Sequence, residues 1–150
     1  MLRETFTAEL KTAMKAGDKR RVDTIRMITA ALKDKDIESR TSGKEVSEDD
    51  ILALLQKLVK SRQESMAIYE QNGRPELAAQ EREEIAVIST FLPQPLSEEE
   101  TAQAIKAAIA ETGASSIKDM GKVVAALKAA HAGKMDFSKV SGLVKAALAG

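Results

Sequence analysis

The sequence predicts an all-α protein, with an N-terminal helical domain of about four helices (residues 1–94) followed by a small three-helix tail domain (residues 95–150). Aromatic residues are sparse (Phe6, Tyr69, Phe91 and Phe137), and alanine, leucine, glutamate and lysine are abundant, which favours helix over sheet on propensity. Apolar residues recur in steps of three and four. Glycine, Asn-Gly and proline divide these periodic stretches at helix-sized intervals.

The first helix is expected from about Leu2 to Ala16, where Gly17 stops it. A second runs from Asp18 to about Arg40, with Val22, Ile25, Ile28 and Leu32 inward, and residues 41–44 form a loop. Ser47 with Glu48, Asp49 and Asp50 makes an N-cap and an acidic first turn. From there Ile51, Leu54, Leu55, Leu58, Val59, Met66 and Tyr69 carry a long third helix to Asn72-Gly73. Pro75 opens a fourth, whose stripe is Leu77, Glu84 or Ile85, Ile88 and Leu92, and Pro93-Gln94-Pro95 ends it.

That Pro-Gln-Pro segment is the expected domain boundary, because every arginine precedes it. Ser97 and Glu100 then form a capping box for a helix with Ile105 and Ile109 inward, closed at Gly113. Two further helices follow, one over about 117–132 around Met120, Val123, Val124 and Leu127, the other over about 137–149 around Val140, Leu143, Val144 and Leu148. Asp136 caps the last one. Such an alanine-rich segment of fewer than 60 residues has a thin core, so the tail is expected to lean on the first domain.

Composition removes much chemistry. Without cysteine there is no thiol nucleophile, disulfide or thiolate metal site, and a single histidine, His131, has no second imidazole to share a metal. No metal site, cofactor or catalytic residue is therefore expected. Gly121-Lys122 lacks the glycine and the hydroxyl residue that a phosphate loop needs. Ser47, Ser97, Ser115 and Ser116 stand where helix caps are required, and no Gly-x-Ser-x-Gly elbow is present. Gly121 is read as permitting close packing of another backbone, ahead of contact with an RNA phosphate. Arg62 breaks the apolar stripe of the third helix and calls for a carboxylate such as Glu84, the preferred reading, or for a ligand.

The chain is neutral overall, with 23 basic and 23 acidic residues, so any polyanion site must be local. From Lys118 to Lys145 six lysines face two aspartates, a net of +4. Helical geometry over 117–132 places Lys118, Lys122 and Lys128 away from the apolar stripe, and Lys134 follows in the next turn. Such lysines suit phosphates, and the scarcity of aromatics argues for recognition of RNA shape and backbone in place of base stacking. The N-terminus shows no apolar run for export and no stretch long enough to span a bilayer, so a cytoplasmic location without membrane contact is expected.

The segments Thr24-Ile-Arg-Met-Ile-Thr-Ala-Ala-Leu-Lys33, Lys60-Ser-Arg-Gln-Glu-Ser65, Phe91-Leu-Pro-Gln-Pro-Leu-Ser97 and Asp119-Met-Gly-Lys-Val-Val124 resemble the YqeY-like family over nearly the whole chain. That family, grouped as GatB/YqeY, is similar to the C-terminal region of the B subunit of the tRNA-dependent amidotransferase, a carbon-nitrogen ligase with glutamine as amido donor. The resemblance implies a helical N-terminal part with a helical tail whose counterpart contacts tRNA. It implies no autonomous catalysis, since the kinase and amidase centres lie in parts this chain lacks.

The expected function is that of a noncatalytic RNA-binding accessory protein, with tRNA the leading partner. Lys118, Lys122, Lys128, Lys134 and Lys139 are the candidate contacts, and Lys19, Arg20 and Arg21 a secondary basic patch. Two alternatives remain open: a component of amidotransferase or aminoacyl-tRNA machinery active only within a complex, and a protein-protein adaptor that needs no RNA.

Overall fold

The computed structural model describes residues 1–149. Among them are seven α-helices and no strand, in agreement with the all-α class. The chain divides into two compact units, Met1–Leu92 and Pro93–Gly150.

The first unit holds α1 (Leu2–Ala16), α2 (Lys19–Ser42), α3 (Glu48–Gln71) and α4 (Pro75–Ser89). Gly17 ends α1 in the left-handed region, at φ 69° and ψ 22°, which a residue without Cβ adopts at no steric cost. The Asp18 carboxylate accepts the Arg21 N–H at 3.2 Å and starts α2. That helix outruns the expected end near Arg40, because the Thr41 and Ser42 hydroxyls donate to the carbonyls of Glu38 (2.6 Å) and Ser39 (3.0 Å), holding the last turn together. The loop expected over 41–44 therefore begins only at Gly43. Ser47 and Asp50 cap α3 reciprocally, at 3.1 and 2.9 Å.

α4 stops short of its expected end. After Ser89 the N–H groups of Thr90, Phe91 and Leu92 bond to carbonyls three residues back, a tighter winding that turns Phe91 inward. There its ring meets Phe6 edge-on, with centroids 5.0 Å apart and planes at 81°. Around this pair lie Ile25, Ile28, Leu32, Ile51, Leu55 and Ile88. α3 packs along α4, and α2 packs on both α1 and α4.

The second unit holds α5 (Glu98–Thr112), α6 (Met120–His131) and α7 (Phe137–Ala149). The Ser97–Glu100 box is present, with the Glu100 N–H donating to Ser97 Oγ at 3.0 Å and the Ser97 N–H to Glu100 Oε1 at 3.1 Å. The single helix expected over 117–132 is broken: Ile117–Asp119 is a 3-10 turn, and α6 proper begins at Met120. Its cause is the Asp119 carboxylate, which accepts the N–H groups of Ser115 (3.0 Å) and Ser116 (3.4 Å) and pins the chain in a tight bend. α5 and α7 each pack on α6, around Ile105, Ala108, Val123, Leu127, Met135, Val140 and Val144.

Leu143, expected inward, is 51% exposed. Val140 and Val144 lie one turn apart and define the buried face of α7, and Leu143 stands about 100° around the helix from Val144. No helix of the described residues is long and apolar enough to cross a membrane.

Candidate nucleic-acid interface

Several arginines of the first unit are engaged within it. Arg20 Nε donates to Glu83 at 3.0 Å, and its Nη1 lies 3.7 Å from Glu84. Arg21 pairs with Glu9 at 3.0 Å and places its guanidinium over the Phe91 ring, 5.4 Å from the centroid. Of the secondary patch, Lys19 alone remains outside such pairs, and Arg20 and Arg21 act as links between helices. Arg62 meets Glu84 at 2.9 Å and also donates to the Leu58 carbonyl, which is the pairing its place in the apolar stripe called for. Beside it the Glu81 carboxyl is pushed above its ordinary value, by burial first and by the Glu84 charge second, with Arg62 opposing.

The lysines of the second unit have a different setting. Among the described residues none of Lys118, Lys122, Lys128, Lys134 and Lys139 makes an ion pair. Lys118 sits in the 3-10 turn and Lys122 in the first turn of α6, both exposed. Nearby, the Asp119 carboxyl is held below its usual range, chiefly by the Ser115 N–H, with the Lys122 charge adding to the effect. Lys128 lies two turns on, about 120° around α6 from Lys122. Its ammonium rests over the Phe137 ring at 5.8 Å from the centroid, a contact that aromatic scarcity had hidden.

Lys134 and Lys139 open on another side. They stand at the mouth of a groove between α5 and α7, and the Lys134 carbonyl accepts the Leu96 N–H at 3.0 Å. The five lysines thus form two groups, one along α6 and one at this groove.

Gly121 corrects the packing reading. Nothing lies within 4 Å of the position a Cβ would take there, so no neighbouring backbone needs the gap. His131, in the last turn of α6, is half-buried.

Three yeast proteins, each called "Altered inheritance of mitochondria protein 41, mitochondrial", are similar to this chain. That of Lachancea thermotolerans is 35% identical over 86 residues, covering 57% of this chain and 45% of its own length. Those of Vanderwaltozyma polyspora (32% over 84 residues; 56% and 44%) and Saccharomyces cerevisiae YJM789 (33% over 92 residues; 61% and 49%) match similarly. The chain spans about half the length of the curated relatives it matches. Their mitochondrial names overturn the cytoplasmic expectation, which rested on the lack of an apolar run; such a run marks secretion and membrane spanning, whereas organelle targeting uses amphipathic segments. Beyond these partial matches, the family model described as Yqey-like protein covers residues 3–148, and the chain belongs to that family.

Proposed function

We propose that this Yqey-like protein is a noncatalytic binder of structured RNA, tRNA foremost, which it grips by the phosphate backbone. The observation that carries the reading is the set Lys118, Lys122 and Lys128, free of ion pairs and ranged from the 3-10 turn onto α6, whose first turn is left open at Gly121. Ammonium groups without ion-pair partners are available to displace counterions from phosphates, Lys128 by leaving the face of Phe137, and a turn without a Cβ lets a sugar-phosphate backbone come close. Three such phosphate contacts give a salt dependence on the order of tens-fold in affinity between 50 and 200 mM.

Fluorescence anisotropy of labelled tRNA against the full chain at several salt concentrations tests this. The triple variant Lys118→Glu/Lys122→Glu/Lys128→Glu is expected to bind more weakly and with a flatter salt slope, at unchanged helicity by circular dichroism. Gly121→Ala is expected to weaken RNA binding while stabilising α6 by up to about 1 kcal/mol, since alanine fits there without a clash. Undiminished binding by the triple variant removes the site, and no binding by the unaltered chain at 50 mM salt removes the function.

A further inference from the structure

The second unit carries a surface apart from the Lys118, Lys122 and Lys128 set, where two of the candidate lysines, Lys134 and Lys139, lie. Between α5 and α7 lies a groove of about 1000 Å³, with Ile105, Met135 and Val140 at its base. Ala102 on one wall and Gly142 on the other keep it open.

Three observations set this groove apart from ordinary surface. Leu143 stands on its α7 wall, 51% exposed, beside a core that could have used it. Gly142 is in mid-helix, where glycine costs about 0.5–1 kcal/mol relative to alanine, yet a Cβ there would meet nothing within 4 Å. The chain's own packing therefore gives no reason for it. Finally, Glu98 on the α5 wall and Lys139 on the α7 wall line the groove with opposite charge, and neither has an ion-pair partner among the described residues.

We infer that this groove is the interface of a two-fold dimer of the chain. The charge arrangement favours a second copy over a foreign helix. In an isologous contact each α7 wall meets the other copy's α5 wall, so Lys139 faces Glu98 of the partner subunit, and the same pair forms twice. Leu143 of each copy enters the opposite groove, and the missing Cβ at Gly142 lets the two α7 helices approach closely. The surface is self-complementary in charge. This inference is independent of RNA binding.

Sedimentation equilibrium of the nuclease-treated full chain across micromolar concentrations tests it. A concentration-dependent monomer-dimer equilibrium is expected. Lys139→Glu, which sets like charges against each other twice, is expected to weaken the dimer by roughly 10-fold or more. The double variant Lys139→Glu/Glu98→Lys restores the opposite signs and is expected to recover most of that loss. Leu143→Glu, at a half-exposed position, is expected to leave helicity intact and abolish the dimer. A monomer at every concentration overturns the inference, as does a dimer indifferent to Leu143→Glu and to the charge reversals. Retention of a foreign protein in the groove with no self-association overturns it equally.

Discussion

The first unit carries arginines as well as lysines, and it is arginines that the chain uses on itself: Arg3 grips Asp36 with two bonds of 2.9 and 2.6 Å, and Arg20, Arg21, Arg62 and Arg82 each meet a carboxylate of another helix. In the second unit the cations are lysines, and the five singled out above meet none. The guanidinium fork suits fixed, two-pronged pairing, whereas an ammonium on a flexible stem is a mobile point charge. The contrast separates a scaffold tied together by its polar side chains from a small helical body whose polar side chains face outward. The cores differ too, the first built on two phenylalanines and large aliphatics, the second on three valines, Ala108, Ile105, Leu127 and Met135.

The largest test of that contrast compares the cores. Ile28→Ala and Leu127→Ala each remove a fully buried aliphatic group at a cost of about 2–5 kcal/mol. In the first unit the remaining core is expected to hold, and in the second the same loss is expected to unfold the unit. Hydrogen exchange read by mass spectrometry distinguishes them; equal loss of protection in both units would break the comparison.

Next come the polar links. Glu84→Ala strands the half-buried Arg62 guanidinium and is expected to destabilise by about 1–3 kcal/mol, whereas replacing both members by leucine or methionine recovers most of it. Lys118→Ala and Lys122→Ala are expected to stay within about 0.5 kcal/mol of the unaltered chain. Urea midpoints measure all of these.

The smallest effect concerns caps. Ser97→Ala is expected to cost about 1 kcal/mol. Backbone N–H donors, Ser97 for Glu100 and Ser47 for Asp50, together with the hydroxyls of those serines, hold the two carboxyls below their ordinary values. Groups with lowered folded pKa stabilise the native state above the unfolded value, about 4, and lose that contribution as pH falls through the folded value. Stability is thus expected to drop on acidification below about pH 5, and less steeply in Ser97→Ala, where Glu100 titrates nearer its ordinary range by carbon-13 NMR.

Much of this architecture was legible in local chemistry. Ser47, Ser97, Asp18, Gly17 and Gly113 mark helix ends because caps depend on residues within one turn of one another. The Arg62–Glu84 pair was legible too, since a guanidinium within an apolar stripe demands an anion. What escaped depends on meetings between distant segments. Nothing near Arg20 and Arg21 announces Glu83 or Glu9, so a run of basic residues reads as a patch when it is a set of struts. Phe91 was hidden because α4 was expected to run on through it, and Leu143 because strict periodicity does not say which neighbour is missing. The lysines of the candidate interface were legible as a charge excess, but their division between α6 and the groove depends on the bend at Asp119 and on the phase of α7.

The Phe6–Phe91 contact bears on the order in which the chain can fold during synthesis. Phe6 is made well ahead of Phe91, and its ring partner arrives only as the first unit is completed, several seconds later at roughly 5–20 residues per second. Until then α1 can pack on α2, but the Phe6 ring lacks its edge-on partner. The ring contact therefore closes the core of the unit only when its last turn has emerged.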